Sequence, residues 1–157
     1  MLKIVTHPNE ILRQKAKKID LNEIKSKKMQ DLIEQMAQTM LEKDGIGLAA
    51  PQIGKSIRII IVNTKQGPLV MINPKITHSS WRKAIDEEGC LSVPNIYGDV
   101  KRPYSIKVKF FTDKAEPLKI KAKGLFARVI QHEIDHLNGV LFIDRTEKTR
   151  NLKEEVL

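Results

Sequence analysis

The sequence predicts a mixed fold in which β-strands lie between helical segments. Three observations support this prediction. Apolar residues recur at helical spacing from about residue 22 to residue 43, short apolar or alternating runs follow between residues 56 and 121, and helical spacing returns from Leu125 to Gly139. The layout is therefore helix, sheet, helix, and 157 residues suit a single domain spanning residues 1–157.

The N-terminal part is predicted to be mainly helical. A short helical stretch covers Glu10 to Ala16, and Asp20 or Asn22 then caps a long amphipathic helix that ends near Lys43. Methionines at helical spacing are usually core residues, so we expect the apolar stripe of this helix to be structural. The stripe consists of Met29, Leu32, Ile33, Met36 and Met40.

The strands of the predicted sheet are short and separated by turn residues. They cover residues 56–62, 69–73, 75–82, 105–111 and 118–121. We expect Trp81 to pack against the third of these strands, and the last two to form a hairpin across a turn at residues 113–117. The charged tail from Asp144 to Leu157 is predicted to be helical, with Leu152 and Val156 as its few apolar contacts.

Composition narrows the classes of protein and of partner. The formal charge of +9 favours polyanionic neighbours, including the ribosome, but the lysines are scattered along the chain and aromatic residues make up only 4%. We therefore interpret most lysines as solvated surface and expect no sequence-specific nucleic acid as a partner. A single cysteine, no membrane-length apolar run and no secretory signal favour a soluble protein of a reducing, cytoplasmic compartment, without a membrane partner.

The residues Gln131-His132-Glu133-Ile134-Asp135-His136 contain the spacing of a hydrolytic metal site. Residues four apart lie on one face of a helix, so His132 and His136 can direct imidazole nitrogens at one ion. Glu133 is offset by roughly 100° around the helix. It is thus better placed to act as a general base on a metal-activated water than as a third ligand.

The third ligand decides between classes of metal site. One protease class requires a further histidine where this chain has Phe142, and that class is excluded. A thermolysin-like downstream glutamate would have to come from the charged tail, which fits poorly. The remaining candidates are His7, His78 and Cys90, of which a thiolate competes best for a borderline-soft divalent metal. Although Cys90 could be a small buried core residue, we favour a site made of Cys90, His132, His136 and water.

Three segments together resemble the motifs of the peptide deformylases, which remove the formyl group from the N-terminal formylmethionine of new bacterial polypeptides. They are Gly45-Ile46-Gly47-Leu48-Ala49-Ala50-Pro51-Gln52, Glu88-Gly89-Cys90-Leu91-Ser92 and Gln131-His132-Glu133-Ile134-Asp135-His136. Their order and spacing extend the resemblance across nearly the whole chain. It implies an α+β fold with small antiparallel sheets framing a central metal-binding helix, a long N-terminal helix and a C-terminal helix.

The resemblance also implies a cofactor, a substrate and residue roles. The cofactor is one divalent metal ion, natively Fe²⁺, with Zn²⁺, Ni²⁺ or Co²⁺ as alternatives, and the partners are N-formylmethionyl peptides. Glu133 would take a proton from the attacking water and give it to the departing amine. The Gln52 side-chain amide and the Leu91 backbone N–H would stabilise the oxyanion together with the metal.

Further residues are predicted to bind the substrate. Leu125 and Val129 lie on the ligand face of the helix and are expected to line a pocket for the methionine side chain. The backbone of Gly45 to Gly47 and of Gly89 is expected to pair with the extended peptide. Glu88, which we group with these residues, has Arg102 as a candidate ion-pair partner that would brace the cysteine segment.

Two alternative functions stay open at this point. A metal-dependent endopeptidase of the His-Glu-x-x-His type would use the same base and ligands on unformylated peptides. A non-catalytic, basic, metal-stapled module that docks on RNA would instead need a closed site, usually of four protein ligands, and would leave Glu133 without a role. The presence of all three motifs favours the deformylase.

Overall fold

The computed structural model describes residues 1–155, in which two antiparallel sheets enclose one long helix. This arrangement confirms the predicted α+β fold. The helices are α1 (Leu21–Ile24), α2 (Lys27–Glu42), α3 (Gly124–Leu137) and α4 (Leu152–Glu155), with 3-10 turns at Glu10–Arg13, Ala50–Ile53 and Phe142–Asp144. The strands are β1 (Gly47–Ala49), β2 (Ile59–Thr64), β3 (Gly67–Ser79), β4 (Lys83–Cys90), β5 (Val93–Pro103), β6 (Ser105–Phe111), β7 (Pro117–Lys123) and β8 (Thr149–Asn151).

The long N-terminal helix begins later than predicted. Asp20 precedes only the one-turn helix α1, and α2 starts at Lys27 because the Ser26 hydroxyl accepts a hydrogen bond from the Met29 backbone N–H at 3.2 Å. Such a serine is a preferred helix N-cap, and it divides the predicted helix in two. The stripe of α2 packs over β1 and β2 as expected, with Ile33, Met36 and Met40 buried and Met29 and Leu32 partly buried.

The larger sheet has the strand order β1-β2-β3-β6-β7, and every neighbouring pair is antiparallel. Its inner face packs on α3, and α2 covers the β1–β2 part of its outer face. The predicted hairpin of residues 105–121 is confirmed as β6 and β7, in which Lys109 lies opposite Lys119. The core therefore lies on both faces of β2, whose Ile60 and Ile61 are fully buried on opposite sides.

Trp81 does not pack against the sheet, so that prediction was wrong. The chain leaves β3 at Ser79, and Ser80 forms the turn by donating its hydroxyl hydrogen to the Arg82 carbonyl at 2.7 Å. Trp81 lies in this turn and its side chain is fully exposed. A period-two pattern shows which residues alternate, but it does not show at which residue the strand ends.

The smaller sheet, of order β4-β5-β8, was not predicted beyond a short extended segment near Pro94. Cys90 and Val93 close the β4–β5 hairpin, which places the thiol at its tip. The predicted C-terminal helix is present as α4, but Thr149–Asn151 pairs with β5 instead of continuing it. Val156 lies outside the described residues. Within residues 1–155, no helix combines the length and apolar character needed to cross a membrane.

Candidate metal centre

Helix α3 carries the centre because its three faces contact three different surroundings. Ala127, Ile130, Ile134 and Leu137 face the larger sheet and belong to its core. Arg128, His132 and Asp135 face the smaller sheet and bond with its charged side chains. Val129 and Glu133 face an open cleft, whose wall also includes His132. The His-Glu-x-x-His spacing distributes neighbouring residues over these faces.

Cys90, His132 and His136 form a group that can hold a metal ion. Their ligand atoms all lie within 4.8 Å of one another, and the Cys90 sulfur is 3.3 Å from Nε2 of His136. Ligands about 2.0–2.3 Å from one tetrahedral ion are expected to lie about 3.5 Å apart. A soft sulfur and two imidazole nitrogens suit Zn²⁺, Fe²⁺ or Ni²⁺. The residues present therefore fit a divalent metal ion.

Glu88 fixes the ring of His132 from the side of the smaller sheet. Its Oε1 lies 2.9 Å from Nδ1 of His132, which leaves Nε2 of that ring for a ligand. Arg102 donates to both Glu88 oxygens at 2.7 and 2.9 Å, and Arg128 donates to Oε2 at 2.6 Å. The predicted Glu88–Arg102 pair is thus present and buried. Three partners occupy its carboxylate and hold it against the His132 ring, while Glu88 also lines the cleft, so its contact with substrate stays a prediction.

The charges around the two histidines favour one positive charge in the group. Burial alone would lower the pKa of His132, but hydrogen bonds with Cys90 and Glu88 and the charge of Glu133 raise that pKa to about 10. Burial and the neighbouring His132 charge hold the pKa of His136 well below its ordinary value. His136 therefore offers a neutral imidazole, whereas His132 has to release its proton to become a ligand, and metal binding drives that release.

Glu133 is a buried carboxyl group with an unpartnered, buried oxygen. Its Oε2 has no hydrogen-bond partner within the described residues, and burial raises the pKa of Glu133 to about 7 against the opposing effect of His132. Such a pKa suits a group that accepts and returns a proton near neutral pH. Gly47 makes room for it, because a Cβ atom at that position would lie 2.5 Å from Glu133 Oε1.

Gln52 points its amide hydrogens at the same site. Its Oε1 accepts from the Ala49 backbone N–H at 2.9 Å, which fixes the orientation of the amide. Nε2 then donates to the Ser92 hydroxyl at 3.2 Å and lies 3.5 Å from the Cys90 sulfur. The 3-10 turn Ala50–Ile53 holds this side chain at the end of β1.

A cleft of about 520 Å³ brings most of the predicted site residues together. Its walls include Gly45, Gly47, Gln52, Glu88, Gly89, Cys90, Leu91, Leu125, Val129, His132 and Glu133. His136 lies behind the cleft, fully buried. Leu125 is 64% exposed and therefore forms the rim of the cleft, whereas Val129 is buried deeper in its wall.

Sequence reasoning missed several residues that support the centre. Besides its bond to Glu88, the guanidinium of Arg128 donates to the carbonyls of Val100 and Ala84 at 2.9 and 2.8 Å. Asp135 joins Arg102 to Arg145 through bonds of 2.6–2.9 Å. The sequence did contain a signal for these contacts. Arg128 and Asp135 are charged residues on a helix that is predicted to be buried, and buried charges require partners.

The match to a known family covers almost the whole chain. The model of the family described as polypeptide deformylase matches residues 1–152. A peptide deformylase of Pelotomaculum thermopropionicum is 48% identical over 153 residues, covering 96% of this chain and 94% of the relative. Peptide deformylase 1 of Clostridium acetobutylicum is 47% identical over 137 residues, covering 87% and 89%.

Solved structures show the same similarity in three dimensions. A crystal structure of peptide deformylase from Thermotoga maritima has a TM-score of 0.89 and 40% identity, covering 94% of this chain and 99% of that one. A class I type b peptide deformylase from Acinetobacter baumannii, solved with Met-Ala-Ser bound, has a TM-score of 0.87 and 39% identity, covering 92% and 97%.

Proposed function

The chain belongs to the polypeptide deformylase family of hydrolytic, metal-dependent enzymes, and we propose that its residues 1–157 act as one catalytic domain. The reaction is hydrolysis of the N-formyl group of formylmethionyl polypeptides, which releases formate and a free methionine terminus. One observation carries the assignment. The metal-binding group of Cys90, His132 and His136 shares a site with the buried, unpartnered carboxylate oxygen of Glu133.

The metal ligands would be the Cys90 sulfur and the Nε2 atoms of His132 and His136. A divalent ion held there supplies a Lewis acid that lowers the pKa of water and polarises the formyl carbonyl. We propose Fe²⁺ as the native metal, with Zn²⁺, Ni²⁺ or Co²⁺ as functional alternatives. Metal analysis after anaerobic purification tests this choice, because a ferrous-thiolate centre is sensitive to oxygen.

Glu133 moves the proton in this reaction. Glu133 lines the cleft and no hydrogen bond from the described residues occupies its Oε2, so its carboxylate can accept a proton from the attacking water. The same carboxyl group then returns the proton to the amine nitrogen of the departing methionine. Burial raises the pKa of Glu133 to about 7, which keeps both steps close to balance at neutral pH.

Two N–H groups would stabilise the negative charge that develops on the formyl oxygen when water attacks the formyl carbon. The Gln52 amide is oriented towards the site by Ala49, and the Leu91 backbone lies at the tip of the β4–β5 hairpin beside Cys90. Donors held in place before the reaction stabilise a developing negative charge without reorganisation.

The cleft would bind an N-terminal peptide in extended form. The similar Acinetobacter enzyme was solved with Met-Ala-Ser bound, which supports a peptide in the corresponding place here. Val129 and Leu125 provide an apolar wall and rim for the methionine side chain. The backbones of Gly45, Gly47 and Gly89 allow a close approach of the peptide. Because new polypeptides are made in the cytoplasm, the reaction would take place there. The positive charge of the chain predicts a weak association with the ribosome, which a cosedimentation experiment would detect.

Formate release from formyl-Met-Ala-Ser, compared with cleavage of unformylated peptides, tests the function directly. We expect formate from the first substrate and no internal cleavage of the second. Glu133→Gln should lower kcat by about 10²–10⁴-fold while the metal content stays normal. Glu147→Gln, which changes an exposed glutamate, is the matched control and should keep full turnover. Normal turnover in Glu133→Gln would remove Glu133 as the base.

Cys90→Ser tests the ligand assignment separately. An alcohol oxygen is a much poorer ligand than a thiolate for a borderline-soft metal, so this variant should lose most of its metal during dialysis. Metal content per protein, measured by elemental analysis, gives the result. Unchanged metal content would show that the third ligand is another residue.

A further inference from the structure

The outer face of the larger sheet is covered by α2 over β1 and β2, whereas lysines project from it over β3, β6 and β7. All of these lysines are exposed, and we call the surface they form the lysine face. It consists of Lys75, Lys107, Lys109, Lys119, Lys121 and Lys123. In the sequence these residues are separated by as many as 48 positions, so the sequence alone does not show that they form one surface.

The strand register aligns the lysine face in rows. Lys75 pairs with Lys109, which pairs with Lys119, so that three cations lie directly opposite one another across three strands. A second row contains Lys107 and Lys121. Neighbours in one row are about 5 Å apart and residues two apart along a strand about 7 Å apart, so the face is a regular array of positive charge.

Within the described residues, no carboxylate forms an ion pair with this array. The ion pairs there involve other cations, and none includes a residue of the lysine face. Like charges directly opposite each other on a sheet destabilise it. An anionic partner laid across the rows would remove that repulsion, which favours binding of a polyanion over binding of isolated small anions.

A groove extends the positive surface towards the N-terminal segment. It has a volume of about 1050 Å³, and Lys75, Lys109 and Lys119 form one side of it. Lys15, Lys18, Arg58 and one acidic residue, Asp20, also line it, together with uncharged and apolar residues such as Asn73, Ile19 and Leu118. The groove and the lysine face therefore form one continuous electropositive surface, and no residue of the lysine face lines the catalytic cleft.

We propose that the lysine face binds the phosphate backbone of double-stranded RNA without reading its sequence. Lysines act as point charges towards phosphates, whereas single strands are usually held by bases stacked on aromatic side chains. Phe111 is the one aromatic residue on this face of β6; it is half-buried against the core beneath α2 and also lines the groove, so the face offers no row of aromatic side chains for stacking. The choice of RNA among polyanions rests on the proposed function, because formylmethionyl polypeptides emerge where structured RNA is abundant.

Fluorescence anisotropy with a labelled RNA duplex of mixed sequence tests the proposal. The variant Lys107→Gln, Lys109→Gln, Lys119→Gln, Lys121→Gln removes four charges from the face. The matched control Lys3→Gln, Lys43→Gln, Lys55→Gln, Lys65→Gln removes four charges from exposed positions elsewhere. We expect the face variant to raise the duplex Kd by about 10-fold or more and to make the slope of log K against log salt shallower by about 3–4, whereas the control changes Kd by less than about 3-fold.

Several results would overturn the proposal. Equal weakening by both variants would show that net charge alone attracts RNA. Tighter binding of a single-stranded RNA of the same length, or face-dependent binding of phosphatidylserine vesicles without duplex binding, would assign the face to another partner. Formate release from a short formyl-Met peptide should be unchanged in both variants. If the unmodified enzyme released no formate, the proposed function would be contradicted, but the measured RNA binding would still be valid.

Discussion

The two sides of helix α3 are fastened to the fold by opposite kinds of interaction. Towards the larger sheet, Ile130 and Ile134 pack against buried apolar side chains such as Met71 and Phe110. Towards the smaller sheet, Arg128, His132 and Asp135 bond to Glu88 and Arg102 through distances of 2.6–2.9 Å. One side is held by burial and the other by directed, buried charges.

Together, the two kinds of interaction fix both the position of the helix and the orientation of its side chains. Apolar contacts are not directional, so they fix where the helix lies but tolerate small rotations of a side chain. Charge-assisted hydrogen bonds are directional and fix the plane of the His132 ring. We therefore expect damage on the apolar side to lower stability alone, and damage on the charged side to lower both stability and metal affinity.

Arg102→Met should produce the largest effect on stability and metal affinity, because it disrupts the charged contacts between α3 and the smaller sheet. The variant leaves the buried carboxylates of Glu88 and Asp135 without a shared partner, which costs about 3–5 kcal/mol. Loss of support for His132 should lower metal affinity by about 10–100-fold. Chemical denaturation and a competitive metal titration measure the two effects.

Lys101→Met is the matched control, because it removes an exposed cation from the neighbouring position of β5. Its stability should change by less than about 0.5 kcal/mol. If Arg102→Met kept normal metal affinity while losing stability, the charged side would anchor the helix without aiming the ligand.

Ile130→Ala should produce the next largest effect and would break the apolar side. Ile130 is fully buried in the core between α3 and the larger sheet, and its truncation is expected to cost about 3 kcal/mol. Metal affinity of the folded protein should stay within about 3-fold of normal. Ile85→Ala, at a largely exposed position, should have almost no effect on stability. A large loss of metal affinity in Ile130→Ala would remove the distinction between the two sides.

Asp144→Asn should produce the smallest effect and would test whether exposure weakens a charged contact. A hydrogen bond from Arg13 holds the pKa of Asp144 below its ordinary value of 3.8. The pair therefore stabilises the fold fully above pH 3.8, and this stabilisation is lost as the pH falls through the lower pKa of the folded state. Both side chains are partly exposed, and solvent screening limits the loss at pH 7 to under about 1 kcal/mol. Denaturation midpoints of variant and parent should converge below pH 3.8.

Glu34→Gln, which removes an exposed carboxylate outside the observed ion pairs, should leave the pH dependence of those midpoints unchanged. A difference between Asp144→Asn and its parent that persists at acid pH would show that the Arg13 pair is not its source.

Sequence reasoning predicted the elements whose signal is local. The β6–β7 hairpin follows from the alternation of Ile106, Val108 and Phe110, and the α3 helix from its apolar spacing. It missed the division between α1 and α2, because the cap formed by Ser26 interrupts an otherwise continuous helical pattern. The exposure of Trp81 was also not predicted correctly, because it depends on the residue at which the strand ends.

The sequence by itself determined the chemistry of this protein. The His-Glu-x-x-His spacing fixes His132, His136 and Glu133 on one helix because the helical period is local, and Cys90 is the only thiol. Tertiary structure alone decided which residues support that chemistry. Arg102 reaches Glu88 and Asp135 across 14 and 33 positions, and the lysine rows depend on strand register. Such pairings form between elements that are distant along the chain, so no local period records them.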